Sequence, residues 1–250
     1  MEGIRHVSNT IAHNLRTPLT RITLQLRNAR GLAPEAQAAT LARVAGEVEE
    51  LGVVFDKLLQ IAEVESGTSR AQFGPVDINA LLVDVAEFYE PLVDENGGRL
   101  ALDAQPALEV LGDGNLIASA VANLLDNAIK YGGAAEAQGP TLAVRVALMA
   151  RRAPMEDGQG AMGIEILVQD NGPGVDPSLI EKMTTRFFRA RSDRSGYGLG
   201  LASVHAIVQL HGGRLAFTNL PRGLQARIWL PQMPTAAASV AAPIQIGMPS

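Results

Sequence analysis

The chain has 250 residues, 47% of them hydrophobic, no cysteine and a formal charge of −5. That is enough apolar material for one or two domains with a real core. The missing cysteines exclude disulfides, zinc–thiolate sites and thiol nucleophiles, and the negative balance excludes polyanion binding by the chain as a whole, so no nucleic-acid partner is expected. No run approaches the roughly 18–20 apolar residues of a membrane span, and Met1-Glu2-Gly3-Ile4-Arg5-His6 lacks the apolar core of a signal peptide.

In chain order, residues 4–29 read as a helix, because Ile4, Val7, Ile11, Leu15, Pro18, Ile22, Leu26 and Ala29 recur every three or four residues. Gly31 and Pro34 break it. A second helix is expected over 35–65, with Leu41, Val44, Val48, Leu51, Phe55, Leu58 and Ala62 in strict three–four alternation. That is a heptad seam, which favours left-handed packing at a small crossing angle. Two long helices with a short connection form an antiparallel hairpin. A single hairpin leaves its seam half wet, so residues 1–66 are expected to be a dimerisation domain, a homodimeric four-helix bundle built through residues 4–65.

Residues 67–75 read as a linker, and a different texture follows over 76–231. Asp77 can cap a helix at 78–90. Strands are expected at 99–104 and 108–111, a helix at 114–131, and strands at 141–149 and 163–169 with a polar hairpin loop over 150–162. Helices at 177–185 and 199–211 and strands at 214–218 and 225–230 complete the domain. Strands and helices in this order predict an α/β sandwich with its helices on one sheet face. The tail, 232–250, is rich in Ala, Pro and Ser and reads as disordered.

Two glycine-hinged loops stand out: Asp170-Asn171-Gly172-Pro173-Gly174 and Gly196-Tyr197-Gly198-Leu199-Gly200. Gly brings backbone close to a ligand and adopts positive φ without steric cost, and closely spaced glycines at a helix start suit a phosphate. Neither loop is a P-loop, and Leu201 stands where a Rossmann fingerprint needs its third glycine. Helix 114–131 adds Asn123, Asn127 and Lys130 on one face. Amide oxygens suit Mg²⁺, which prefers few protein ligands plus phosphate and water; Lys130 can meet a phosphate and Tyr131 can cover a base. Taken alone, the same face reads as solvated, with a Lys favoured by the helix C-terminus. Asp170 ends an apolar strand, where a carboxylate can accept a hydrogen bond from a purine amino group or serve simply as a turn residue. Arg186, Arg189, Arg191 and Arg194 precede the second glycine loop, in a stretch that reads as a lid able to pair with polyphosphate.

Together these pieces resemble the ATP-binding domain of histidine kinases and their gyrase, chaperone and mismatch-repair relatives. Asn123–Tyr131 resembles the N box, Asp170–Gly174 the G1 box, Arg186-Phe187-Phe188-Arg189 the F box (with Thr184 where a first Phe is common) and Gly196–Leu201 the G2 box. The resemblance implies ATP and Mg²⁺ as cofactors, Asn127 as the Mg²⁺ ligand aided by Asn123, Lys130 on phosphate, Tyr131 beside adenine and Asp170 on the adenine amino group. It implies nucleotide contacts from Gly172, Gly174, Arg189, Gly196, Gly198, Leu199 and Gly200, with a lid over 186–197.

The first helix carries His13-Asn14-Leu15-Arg16-Thr17-Pro18. At about 100° per residue, His13 faces away from the apolar stripe, so it is not a core histidine. Pro18 frees the carbonyl of Asn14 and invites a kink one turn beyond His13. The segment resembles the H box of a phosphoacceptor domain. The resemblance implies a two-component histidine kinase in which His13 attacks ATP and the phosphoryl group passes to an aspartate of a response-regulator receiver domain. Arg16 and Thr17 fall in the same box, and Thr17 matches the position that orients water when the regulator is dephosphorylated. Asn14 departs from the family, which usually has an acidic residue there; an amide cannot take the proton at neutral pH. Slower autophosphorylation follows, and a nucleotide-binding pseudokinase or phosphatase-biased relay module stands as the alternative. A chaperone-type ATPase would leave the His13–Pro18 helix unexplained. The chain as given is expected to be cytoplasmic, from a parent anchored, if at all, through an upstream segment. His6, His205 and His211 receive no role.

Overall fold

The computed structural model describes residues 2–67, 70, 72–95, 97–132, 144–155, 162–190 and 197–233, with 2–15 as helical backbone alone. Residues 234–250 of the tail read as disordered and residues 141–143 of the strand expected at 141–149 lie outside them, whereas Gln232 bridges Val110 and the Met233 amide donates to the Glu109 carbonyl. The chain forms two compact units, Met1–Thr68 with Ser178–Ala206, and Ser69–Pro177 with Ile207–Ser250.

The first unit is built on the expected helical hairpin. α1 (Glu2–Ala29) is helical straight through Pro18, and α2 (Pro34–Ser66) starts with Pro34 in its first turn, where the missing N–H costs nothing. α2 ends at Gly67, whose left-handed φ of 73° lets its amide reach the carbonyl of Val64. The helices are tied by Arg21 and Gln25, which both donate to the Glu47 carboxylate at 3.1 Å. Gln25, then Arg21, hold that carboxyl below its ordinary range. The seam differs from its sequence reading. Pro18, Ile22, Ala29, Val44, Val54, Ile61 and Val64 are buried, whereas Leu26, Leu41, Val48 and Phe55 are exposed. The last three of these lie seven residues apart on α2. A heptad row of this kind is spaced to meet a neighbouring helix, and one chain does not cover it.

The rest of this unit, Ser178–Ala206, is less helical than expected. In place of a helix at 177–185 there is a 3-10 turn, Pro177–Lys182, continued by single turns from Ile180 to Phe188. Met183 is buried in this segment, and Leu179, Ile180, Phe187 and Phe188 are half-buried. Arg186 pairs with Glu65 of α2. α5 (Gly200–Leu210) then runs from this unit into the second.

The second unit is the expected α/β sandwich. β1 (Gly74–Asp77) pairs antiparallel with β3 (Glu109–Gly112) in a small sheet; the strand begins inside the segment read as linker. β2 (Arg99–Ala104), β4 (Arg145–Pro154), β5 (Met162–Asp170), β7 (Leu224–Pro231) and β6 (Arg214–Asn219) form a five-stranded sheet in that order, parallel only between β2 and β4. Cross-strand rows Leu148–Val168–Ala226 and Ala150–Ile166–Ile228 are buried throughout. Against this sheet lie α3 (Ile78–Glu95) and α4 (Gly114–Gly132), whose buried stripes are Ile78, Leu82, Ala86, Tyr89, Val93 and Ile117, Val121, Leu124, Ala128. Both helices are capped by aspartate: Asp77 accepts from Ala80, and Asp113 from Asn115 and Leu116.

Two boundaries depart from sequence expectation. α3 continues past Pro91 because fully buried Val93 rewards another turn. The loop expected over 150–162 is shorter: β4 reaches Pro154 and β5 begins at Met162. Their polar ends pair as a ladder in which buried Glu165 sits opposite Arg151 at 2.8 Å, with Arg227 at 3.5 Å, and the Trp229 indole donates to the Ala153 carbonyl. Polarity marked Arg151 as loop, but its charge pairs with Glu165, which can then be buried within the strand.

Candidate nucleotide site and phosphoacceptor helix

In the second unit, the end of α4 meets the loop after β5. A Cβ on Gly172 would lie 2.7 Å from the Tyr131 carbonyl, and one on Gly132 would touch Asp170 and Asn171. Tyr131, at the end of the helix that carries Asn123, Asn127 and Lys130, therefore lies beside Gly172 in the loop that Asp170 opens. Asn123 is buried and donates its Nδ2 to the Ser119 carbonyl at 2.8 Å, while Asn127, one turn on, is half-buried. Lys130 lies over the Tyr131 ring, 5.2 Å from its centroid, within cation–π range.

Asp170 is held through one oxygen. Its Oδ1 accepts the amides of Gly172 at 2.8 Å and Leu224 at 3.2 Å. Burial raises its carboxyl above the ordinary range, against the lowering effect of those two amides. Asn171 caps the start of β4 by accepting from the Arg145 amide at 2.8 Å. The loop is braced from the β6–β7 turn, where Asn219 bonds both main-chain groups of Val175. Sequence reading missed Asn219 and Gly223. Their only signal was the turn chemistry of Asn219-Leu220-Pro221-Arg222-Gly223, which says nothing of what the turn touches.

In the first unit, Gly198, Leu199 and Gly200 form the start of α5. The Phe187 amide donates to the Gly198 carbonyl at 2.9 Å, so the F-box and G2-box residues form the stem of the segment between them. Arg189, beyond that stem, is exposed, and Leu199 is buried, which leaves its main chain for any ligand contact. Tyr197 is half-buried; burial, then Glu50 of α2, push its phenol up. Arg191, Arg194 and Gly196 lie outside the described residues.

The phosphoacceptor motif sits in α1. His13 and Asn14 lie where only the backbone is described, and Arg16 and Thr17 are exposed. Pro18 is buried beneath them. The Thr20 hydroxyl donates to the Arg16 carbonyl at 2.9 Å, giving local support just beyond the proline.

The donor set at α4 fits a hard cation. Amide oxygens one turn apart suit Mg²⁺ completed by water and phosphate. Among the described residues no cluster of His, Cys, Asp and Glu offers a metal cage.

Residues 112–234 match the model of the histidine kinase-, DNA gyrase B- and HSP90-like ATPase family, and residues 4–67 that of the His Kinase A (phospho-acceptor) domain. The chain belongs to the histidine kinase family. The kinase core is 31% identical to the sensor protein kinase PmrB of Pseudomonas aeruginosa over 238 residues, covering 93% of this chain and 46% of that protein. It is 33% identical to the phosphate regulon sensor protein PhoR of the same organism over 221 residues, covering 84% and 46%. The chain thus spans about half the length of the curated relatives it matches. Among solved structures, the Acinetobacter baumannii histidine kinase AdeS superposes with a TM-score of 0.66 at 23% identity, over 88% of this chain and 97% of that one, a likeness of fold. Full-length ShkA, solved in complex with AMPPNP, superposes at 0.60 with 25% identity, over 90% of this chain and 45% of that one. Among the described residues of the kinase core, no helix is long and apolar enough to cross a membrane.

Proposed function

We propose that the kinase core phosphorylates itself on His13 from ATP and passes the group to an aspartate of a response-regulator receiver domain. The observation that carries this reading is the packing of the Asn123–Tyr131 helix end on the Asp170–Gly174 loop, in a chain whose first helix holds His13-Asn14-Leu15-Arg16-Thr17-Pro18. In the transfer, a lone pair of the neutral imidazole forms an N–P bond to the γ-phosphorus. The bond from that phosphorus to the β–γ bridging oxygen breaks, ADP leaves with its electron pair, and the ring N–H proton passes to solvent. Most of the catalysis is positioning.

Asp170 accepts the adenine amino group, Tyr131 flanks the base, and Lys130 and Arg189 meet the phosphates. Asn127, with Asn123, would hold Mg²⁺, which when bound draws charge from the phosphate oxygens. Main-chain groups at Gly172, Gly174, Gly196, Gly198, Leu199 and Gly200 line the nucleotide. Asn14 orients the imidazole, and Arg16 and Thr17 share its helix face. The exposed heptad row Leu41, Val48 and Phe55 supports homodimerisation through residues 4–65.

Incubation with γ-labelled ATP and Mg²⁺ tests the reading. Acid-labile, alkali-stable label is expected on the wild type and absent from His13→Gln and Asn127→Ala. Label that persists in His13→Gln would place the phosphoryl group elsewhere and reject the assignment.

A further inference from the structure

We propose that Asn219 is a positioning residue for base recognition, which fixes the Asp170–Val175 loop so that Asp170 meets the adenine amino group through Oδ2. The inference rests on the role proposed for Asp170.

The loop needs an outside brace. Gly172-Pro173-Gly174 combines two residues of maximal backbone freedom with one that has no N–H, and the bond from the Gly172 amide to Asp170 Oδ1 holds only the start of the loop. The turn between β6 and β7 supplies the brace at both ends. At the far end, Asn219 clamps Val175 at two points: its Oδ1 accepts the Val175 amide at 2.9 Å and its Nδ2 donates to the Val175 carbonyl at 2.6 Å. The same amide fills the space beside Gly174, where a Cβ would lie 2.7 Å from Asn219 Oδ1.

At the near end, Leu224 donates its amide to Asp170 Oδ1. That approach requires Gly223, whose φ is 93° and whose added Cβ would fall 1.7 Å from the Asp170 carbonyl. Leu220 donates to the Gly223 carbonyl at 3.0 Å and closes the turn, and Asn219 and Leu224 are register partners. One short turn therefore holds both the carboxylate and the loop that follows it. Both amide donors to Asp170 converge on Oδ1, which sets the rotation of the carboxylate and reserves Oδ2 for a ligand donor. Such a polar group, built to meet a donor, penalises a ligand that lacks one.

The test is equilibrium binding of ATP and of purine riboside triphosphate, which lacks the 6-amino group, to the full chain. Wild type is expected to prefer ATP by at least about tenfold, and Asp170→Ala to lose that preference. Asn219→Ala is expected to weaken ATP by about tenfold while leaving purine riboside triphosphate unchanged. Asn219→Asp keeps the shape and the acceptor but turns a carboxylate oxygen toward the Val175 carbonyl; it is expected to lose the preference as fully as Asn219→Ala. A space-filling role predicts the opposite, so an Asn219→Asp protein that still prefers ATP overturns the proposal. Equal weakening of both nucleotides in Asn219→Ala overturns it as well. No preference in the wild type, or a preference that survives in Asp170→Ala, removes the role of Asp170 and the inference with it. A preference lost in Asp170→Ala but intact in both Asn219 variants rejects this inference alone.

Discussion

The amide of Phe187 and the carbonyl of Gly198 meet at 2.9 Å, joining the two ends of the segment that carries Arg189. Gly198 has φ of 70°, and a Cβ there would lie 2.5 Å from the Phe188 carbonyl. Gly198→Ala therefore strains the backbone by about 1–3 kcal/mol and opens the stem. A loss of about tenfold in affinity for a non-hydrolysable ATP analogue is expected, measured by titration calorimetry. Wild-type affinity would show that the stem has no part in nucleotide binding.

The raised Asp170 carboxyl makes stability depend on pH. In the folded state it lies above the ordinary value, chiefly by burial. Between the unfolded and folded values the native state binds the more protons, so stability falls as pH rises through that window, and the penalty is complete above it. Asp170→Asn keeps an oxygen for the Gly172 and Leu224 amides but removes the charge. Its Tm at pH 7 is expected to rise by about 2 °C while ATP binding is lost. A lower Tm would show that the carboxylate stabilises the fold.

His211 gives stability the opposite slope. Its buried ring stacks on Phe73 at 4.6 Å; Nδ1–H donates to the Ile207 carbonyl at 2.7 Å, and Nε2 accepts the Asp113 amide at 3.0 Å. A proton on Nε2 would face another donor. Burial and Arg70 lower the pKa below 6.5, while the Ile207 carbonyl and Asp113 oppose the shift. Below about pH 6.5 the unfolded state binds the more protons, so stability is complete above that value and falls as acid approaches the lowered folded value. Urea melts from pH 7 to 5 are expected to show this slope in wild type and a flatter one in His211→Gln. Parallel slopes would reject the assignment.

Asn14→Asp places a base beside His13 in sequence. Autophosphorylation is expected to accelerate by about tenfold or more, read as the initial rate of label incorporation. An unchanged or lower rate would show that the amide is no handicap.

Phe55 is 55% exposed within one chain. If it packs across a dimer seam, Phe55→Glu is expected to give monomers in sedimentation equilibrium at micromolar concentration, because an unpaired charge cannot be buried cheaply. Persistent dimers would place the seam elsewhere.

Tyr89 shows how much escaped the sequence. Its hydroxyl donates to Asp126 at 2.8 Å, joining α3 to α4, and burial, then Asp126, push its phenol far up. Nothing in the spacing of the two residues marks that bond. The same holds for Asn219 against Val175 and for His211 against Asp113, pairs far apart in the chain.

By itself the sequence determined the hairpin, the order of strands and helices apart from β1 and the 3-10 turn at Pro177–Lys182, and the motifs that place this chain in its family. These rest on local periods of 3.6 and 2.0, on caps, and on glycines whose stereochemistry is a property of the residue. The tertiary structure alone decided which polar residues are buried and what they hold: Glu165 between two arginines, Asp170 fixed through one oxygen, Asn219 behind the loop. A hydrogen bond between distant segments depends on where the folded sheet brings them, and that position follows from the packing of the whole core.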